Sequence, residues 1–292
     1  MYYKNNRKSL WMLASSMFIF GTIGIFRRYM SLSSGILAFT RSIIGALFLC
    51  AFIKIKGEKI KRRIGYKVLI GLVISGAVMG MNWILLFEAY NYTTIATATL
   101  CYYMQPVIVI LLSPLILKER VTLKKLFCAS ISILGMILIS GVMDQGGVQT
   151  GELKGIFFGL GAAIFYAAVV LLNKKIGNID VYEKTVIQLL SAAIILIPYL
   201  LLTENIGDVQ FGMTNIVMLL FIGIVHTGIA YILYFGSMDG VKAQTIAAFG
   251  YIDPVTALIL SSIVLQESMK MWGMIGAVLI IGGAMLGETK FS

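Results

Sequence analysis

PVIVILLSPLILKE, residues 106–119, and PVTALILSSIVLQE, residues 254–267, are the stretches whose comparison decides the fold. Over 14 aligned positions they share six identities, Pro, Val, Leu, Ser, Leu and Glu, at an offset of 148 residues. The same offset pairs Gly80 with Gly228, Phe87 with Phe235, Thr97 with Thr245, Tyr103 with Tyr251 and Gly135 with Gly283. Apolar bias alone can match leucine to leucine. It does not set a proline and a glutamate at equal spacing twice, so the chain reads as an internal duplication.

Both stretches lie within long apolar runs. Runs bounded by charge or turn residues predict helices near 10–26, 34–53, 66–89, 94–117 and 123–143, then near 153–172, 182–202, 214–237, 242–265 and 271–287. Each approaches the length of about 20 apolar residues that a bilayer crossing needs. Five helices are an odd number of crossings, so the second copy enters the membrane from the opposite side. The expected fold is an all-α integral membrane protein of ten transmembrane helices, built as two inverted five-helix repeats over residues 1–146 and 147–292.

Composition and charge point the same way. The 292 residues are 59% hydrophobic and 13% charged, against about 45–50% apolar and about 25% charged in soluble domains. A net charge of +11 would suggest a nucleic-acid partner in a soluble protein, but here the basic residues fall in loops. With the N-terminus inside, inner segments hold 19 of them and outer loops 4, namely Arg27, Arg28, Lys154 and Lys270. The positive-inside bias therefore predicts cytoplasmic termini in the cytoplasmic membrane, with lipid and not nucleic acid as the surroundings. The start imitates a signal peptide, yet its apolar run ends in Phe26-Arg27-Arg28 without a small-residue cleavage site, so it is read as a retained first helix. Cys50, Cys101 and Cys128 lie in apolar stretches without CxxC spacing, which argues against a disulfide framework or a zinc site.

An ionisable group at membrane depth costs about 2.5–3.5 kcal/mol, so each is a functional candidate. Asp253 falls near the middle of its predicted helix and directly precedes Pro254. Proline removes an N–H and clashes with the preceding turn, which frees a carbonyl for a ligand or ion. Gln105-Pro106 occupies the equivalent place in the first repeat, so Pro106 and Pro254 read as helix-break hinges flanked by Gln105 and Asp253. The competing reading is a pair of packing kinks, with Asp253 held by a neighbouring donor. Arg41, inside helix 2, either holds a substrate carboxylate with its fork of donors or pairs structurally with Asp253 or Glu88. His226, the only histidine, sits in the middle of helix 8 as a proton-coupling candidate or a packed core residue. Glu88, near the outer end of helix 3, has the same two readings. Tyr103 and Tyr251, each three positions before its proline, are expected to face each other as cavity lining, with packing as the alternative. Glu119 and Glu267, 13 residues beyond the prolines, read as anchors of helix ends near opposite surfaces.

ILAFTRSIIGALFL (36–49), ATATLCYYMQPVIVILLSPLILKERVT (96–122), GIFFGLGAAIFYAAVVLLNKK (155–175), GIAYILYFGSM (228–238), AAFGYIDPVTALILSSIVLQE (247–267) and GAVLIIGGAML (276–286) together resemble the EamA-type transporters of the drug/metabolite transporter superfamily. The resemblance implies a central cavity open to one side at a time, lined by helices 1–4 and 6–9, with helices 5 and 10 at the periphery. It also implies export of amino acids or related metabolites, while amines and other solutes are imported elsewhere in the superfamily.

No phosphate-binding GxxxxGK[ST] loop is present, so the chain is not itself an ATP-driven pump. There is no HExxH and no second midplane carboxylate beside Asp253, so catalytic residues, metals and cofactors are not expected and an enzyme is disfavoured. Channel filters are rings contributed by several copies, whereas one chain here carries both halves of a pseudosymmetric pore. The sequence thus predicts a secondary transporter that moves a small metabolite by alternating access, as monomer or homodimer, with protons as a candidate coupling ion. Export of amino acids or related compounds leads. Import of an amine such as choline, or broad drug/metabolite export, is the alternative.

Overall fold

The structure, a computed structural model, describes residues 7–57, 64–118, 121–139, 150–176, 179–204, 211–238, 241 and 243–288. Among them every regular element is helical: α1 (Arg7–Arg28), α2 (Ser34–Lys56), α3 (Tyr66–Tyr92), α4 (Ile95–Tyr102), α5 (Gln105–Leu117), α6 (Leu123–Ile139) and α7 (Thr150–Ile176). There follow α8 (Val181–Thr203), α9 (Met213–Phe221), a π-helical stretch (Ile222–Ile229), α10 (Ala230–Met238), α11 (Ala243–Gly250), α12 (Ile252–Val264) and α13 (Met271–Glu288). By length and composition seven helical stretches among the described residues can cross a membrane: 7–28, 34–56, 66–92, 95–117, 150–176, 181–203 and 213–238. Ile252–Val264 and Met271–Leu286 are shorter apolar helices. The sequence places a helix end at 143, but residues 140–149 lie outside the described residues, as does Glu119.

The interior is mainly apolar, but so is the exterior, and polar side chains are drawn inward among the helices. Leu115 is 79% and Val278 70% exposed, whereas Ser42, Ser75, Asn82, Ser132, His226 and Thr227 are fully buried. Outward apolar and inward polar is the arrangement expected where the surrounding solvent is lipid and helices associate through small and polar side chains. Backbone ends are closed locally. Ser33 accepts from Ile36 N–H at the start of α2, and Gly57, with φ 71°, ends that helix by donating to the Ile53 and Lys54 carbonyls. Thr94 caps α4 through Thr97 N–H, and Asp180 caps α8 through Tyr182 and Glu183 N–H.

The predicted helices at 94–117 and 242–265 are each found in two pieces. The interruptions follow Tyr102 and Gly250, so Tyr103 and Tyr251, the residues paired by the 148-residue offset, both sit between segments. Pro106 is the second residue of α5 and Pro254 the third of α12. In the first turn of a helix the proline's missing N–H costs nothing, because that N–H has no partner inside the helix. The prolines therefore begin new helices instead of bending old ones. Asp253 consequently lies in the first turn of α12, where the helix dipole favours a negative group.

Packing holds these breaks at the centre. α3 runs along α7 and α8, α2 along α8 and the π-helical stretch, and α1 along α10 and α12. α6 and α13 pack on each other. A Cβ at Gly135 would lie 2.6 Å from the Gly276 carbonyl, and one at Gly276 would lie 2.5 Å from the Gly135 carbonyl, so the two backbones meet directly.

Candidate functional site

A cavity of about 400 Å³ lies between the helices. Its wall comes from α1 to α5, α7, α8 and α10 to α12, and α6 and α13 contribute no lining residue. Arg41, Gln105, Pro106, Tyr103, Tyr251 and Asp253, all singled out in the sequence, share this wall. Pro254 stands one residue behind it, buried in α12.

Arg41 is 5% exposed and held on two sides. Its Nε donates to Thr227 Oγ1 at 2.7 Å, and its guanidinium carbon lies 4.2 Å from the centre of the Trp83 ring and 5.9 Å from that of Phe87. The π-helical stretch is what presents Thr227. Thr227 Oγ1 donates to the carbonyl of Ile222, five residues earlier, at 3.4 Å. Close contact is possible because α2 places Gly45 against the Thr227 side chain, while Gly223 and Gly228 receive Ile44 and Phe48. Neither Asp253 nor Glu88 pairs with Arg41 among the described residues, and no acceptor there bonds its two Nη atoms. Both ends of the guanidinium fork are left to the cavity.

Asp253 enters the cavity from the first turn of α12. Pro254 cannot donate to the Gly250 carbonyl four residues back, and that oxygen instead accepts from the Tyr103 hydroxyl at 3.1 Å. The tyrosine of one helix break thus satisfies the carbonyl freed at the other. The Tyr103 and Tyr251 rings lie 6.5 Å apart at 49°. Tyr102 packs edge-on against Tyr103 at 6.0 Å and Tyr166 at 5.5 Å, and Phe20 against Tyr231 at 5.7 Å. These rings give the cavity aromatic walls that carry hydroxyls.

His226 and Glu88 lie outside this wall. The His226 ring is fully buried, with centroids 5.2 Å from Phe26 and 5.6 Å from Phe221. Its Nε2 is 2.8 Å from Thr22 Oγ1, whose own hydrogen goes to the Ile19 carbonyl at 2.8 Å, so Nε2 carries the donated proton. Nδ1 has no partner among the described residues. Glu88, near the end of α3, accepts from Asn91 Nδ2 at 3.4 Å.

Beyond Tyr90 and Thr99 the cavity wall gives way to a tie among four helices. Arg28 donates to Glu267 Oε1 at 2.6 Å and to the Tyr90 carbonyl at 2.7 Å. Glu267 Oε2 accepts from Ile95 N–H at 2.9 Å, at the start of α4. The opposite part of the wall is polar: Asn173, Lys184, Thr185 and Gln188 come from the end of α7 and the first turns of α8. The sequence reading counts Lys184 among the inner basic residues, at the start of the helix predicted near 182–202, and does not single out the other three. The Asp180-Val-Tyr-Glu183 pattern, a capping signature, was the available signal that α8 begins early enough to draw Lys184 inside.

An apolar exterior this extensive requires lipid, and a polar cavity enclosed by such helices serves a solute that enters it. The class is a multi-pass membrane transporter. The chain belongs to the EamA-like transporter family, whose profile matches residues 7–141 and 153–287. It is 30% identical over 271 residues to the uncharacterized transporter YxxF of Bacillus subtilis (strain 168), covering 93% of this chain and 86% of that protein. Over 259 residues it is 30% identical to an uncharacterized transporter of Clostridium kluyveri, covering 85% and 81%. A solved crystal structure is similar in fold with a TM-score of 0.68 at 18% identity, covering 96% of this chain and 97% of that one.

Proposed function

We propose that this chain is a secondary transporter that exports amino acids or related small metabolites across the cytoplasmic membrane by alternating access. In this reading it has ten crossings in two inverted halves, both termini are cytoplasmic, and it carries no catalytic activity. The observation that carries the proposal is the cavity shared by the unpaired Arg41 guanidinium fork and the Asp253 carboxyl. An α-amino acid offers a carboxylate to the first and an ammonium to the second, and the tyrosine walls accept either apolar or hydroxylated side chains. The helix breaks at Tyr103 and Tyr251 support inverted halves meeting at the site, as in carriers built from repeats. Lys184 belongs to the inner basic residues and Arg28–Glu267 lies at the other end of the cavity, so this conformation reads as closed outside.

Import of an amine is the second reading, favoured by Asp253 and the ring faces. A fixed arginine in the same cavity opposes it. The purified chain in liposomes, assayed against amino acids and choline with and without a pH gradient, separates them. Saturable flux of amino acids supports export, and a gradient-dependent rate supports proton coupling through Asp253 or His226. Saturable flux of choline alone refutes the leading reading, and flux that never saturates refutes a carrier.

A further inference from the structure

Three of the side chains that line the cavity carry formal charge: Arg41, Asp253 and Lys184. A neutral amino acid would satisfy the first two and leave Lys184 over. Lys184 is half-buried on α8, and its ammonium makes no hydrogen bond or ion pair among the described residues. It does not stand alone. Gln188, one turn along α8, donates through Nε2 to Ser75 Oγ at 2.7 Å and to Asn173 Oδ1 at 2.8 Å. Ser75 in turn gives its hydrogen to Asn173 Oδ1 at 3.4 Å. With Oδ1 occupied twice, the Asn173 amide is oriented so that both hydrogens of Nδ2 are without an acceptor among the described residues. Residues four apart on a helix share a face, so Lys184 stands beside this oriented amide. Together they present a cation and two N–H donors and no carboxylate.

The spacing from Arg41 follows from helix packing. Gly35 of α2 meets Tyr199 and Leu200 of α8, and Gly45 meets Leu189, so the two helices run antiparallel. From Arg41 to Gly45 and from Leu189 to Lys184 is nine residues of common axis, or roughly 14 Å at about 1.5 Å per residue. Two long basic side chains reaching into one cavity across that interval match a solute with an acidic group at each end.

Resting on the transporter reading above, we infer that Lys184 and Asn173 form a second anion subsite, and that the cavity selects a small amino dicarboxylate: one carboxylate on Arg41, the ammonium on Asp253 and the second carboxylate on Lys184 and Asn173. Glutamate and glutamine are the discriminating probes, because they have the same shape and differ in that second charge.

The experiment uses the full chain in phosphatidylcholine liposomes with labelled L-glutamate and L-glutamine, alongside thermal unfolding of the detergent-purified chain with each solute. A charge-assisted contact of about 1.4 kcal/mol is tenfold in affinity, so the wild type is expected to prefer glutamate by about tenfold. Lys184→Gln removes that preference while glutamine flux persists, and Asn173→Asp, which sets a carboxylate beside Lys184, also removes it. A wild type that prefers glutamine, or a Lys184→Gln chain that keeps its preference for glutamate, overturns the subsite and leaves the transporter reading standing. Absence of saturable flux for any solute overturns the transporter reading instead. Thermal unfolding then decides the subsite: stabilisation by glutamate that Lys184→Gln abolishes upholds it, and no stabilisation of the wild type by glutamate overturns it.

Discussion

Thr227→Val isolates the contact that fixes Arg41. Valine keeps the shape of threonine and the methyl group that meets Gly45, but removes the acceptor that Arg41 Nε has among the described residues. That nitrogen belongs to a residue 5% exposed and, with Thr227 fully buried, finds no water in exchange. A hydrogen bond to a charged group is worth about 1.5–3 kcal/mol, and the added methyl returns about 0.8 kcal/mol where it fits. The expected net loss is therefore about 1–2 kcal/mol. Equilibrium unfolding in mixed detergent and SDS micelles measures it, and the partner variants identify the cause. Thr227→Ser keeps the acceptor and loses a methyl, so it should cost about 1 kcal/mol or less. In an Arg41→Met background Thr227→Val should cost almost nothing, which gives a coupling free energy of about 1–2 kcal/mol. In liposomes Thr227→Val should also raise KM for carboxylate solutes more than it lowers kcat, because Arg41 is left with Trp83 as its main restraint. A coupling near zero, or a Thr227→Ser chain less stable than Thr227→Val, refutes the positioning of Arg41 by the π-helical stretch.

Three further outcomes are expected. Asp253→Asn keeps a polar group in the first turn of α12 but removes the charge, and should lower flux of amino-bearing solutes at least about tenfold, read as initial rates in liposomes; full activity of this variant removes Asp253 from the site. Glu267→Gln retains an acceptor for Ile95 N–H and loses the ion pair with Arg28, which is partly exposed and so worth only about 0.2–1 kcal/mol. Thiol labelling of Thr99→Cys in a chain whose cysteines are replaced by alanine should then rise from the outer side by up to about fivefold, at about 1.4 kcal/mol per tenfold, and unchanged labelling argues that the tie does not hold that end closed. Gly135→Ala forces a Cβ onto the Gly276 carbonyl and should lower stability by about 1–3 kcal/mol, whereas Gly282→Ala, with nothing within 4 Å, should be neutral or gain about 0.5–1 kcal/mol; thermal unfolding in detergent compares the pair.

What was legible in the sequence depended on backbone chemistry repeated along the chain. Proline dictates where a helix can start whatever packs around it, so Pro106 and Pro254 announced the two interruptions, and the offset that joins them carries Tyr103 onto Tyr251. Depth in apolar runs singled out Arg41, Gln105 and Asp253 one by one, and the structure sets them in one cavity wall. Contacts set by helix rotation were not legible. Thr227 lies 186 residues from Arg41, and their hydrogen bond exists because three glycines let α2 approach a stretch with an extra residue per turn. Periodicity at 3.6 residues gives no sign of that extra residue. Of the two readings of Arg41 that the sequence leaves open, no ion pair with Asp253 or Glu88 is found among the described residues, and the structure gives the side chain an alcohol and an indole.

That substitution of partners bears directly on function. Arg41 and Asp253 share one cavity, and an ion pair between them would have neutralised the most costly groups at membrane depth. Neutral groups hold Arg41 instead: a hydroxyl at 2.7 Å takes one donor and the Trp83 face, 4.2 Å away, screens the charge without consuming the Nη hydrogens. Asp253 is supported at the start of a helix, where peptide dipoles stabilise a negative group and leave room for a ligand. Each charge is thus made tolerable by partners that a solute need not displace. A paired arginine and aspartate would have to be separated, at the expense of two desolvated ions, before either could bind anything. Keeping them apart leaves the solute to join them, so the free energy of bringing opposite charges together is released only when the cavity is occupied.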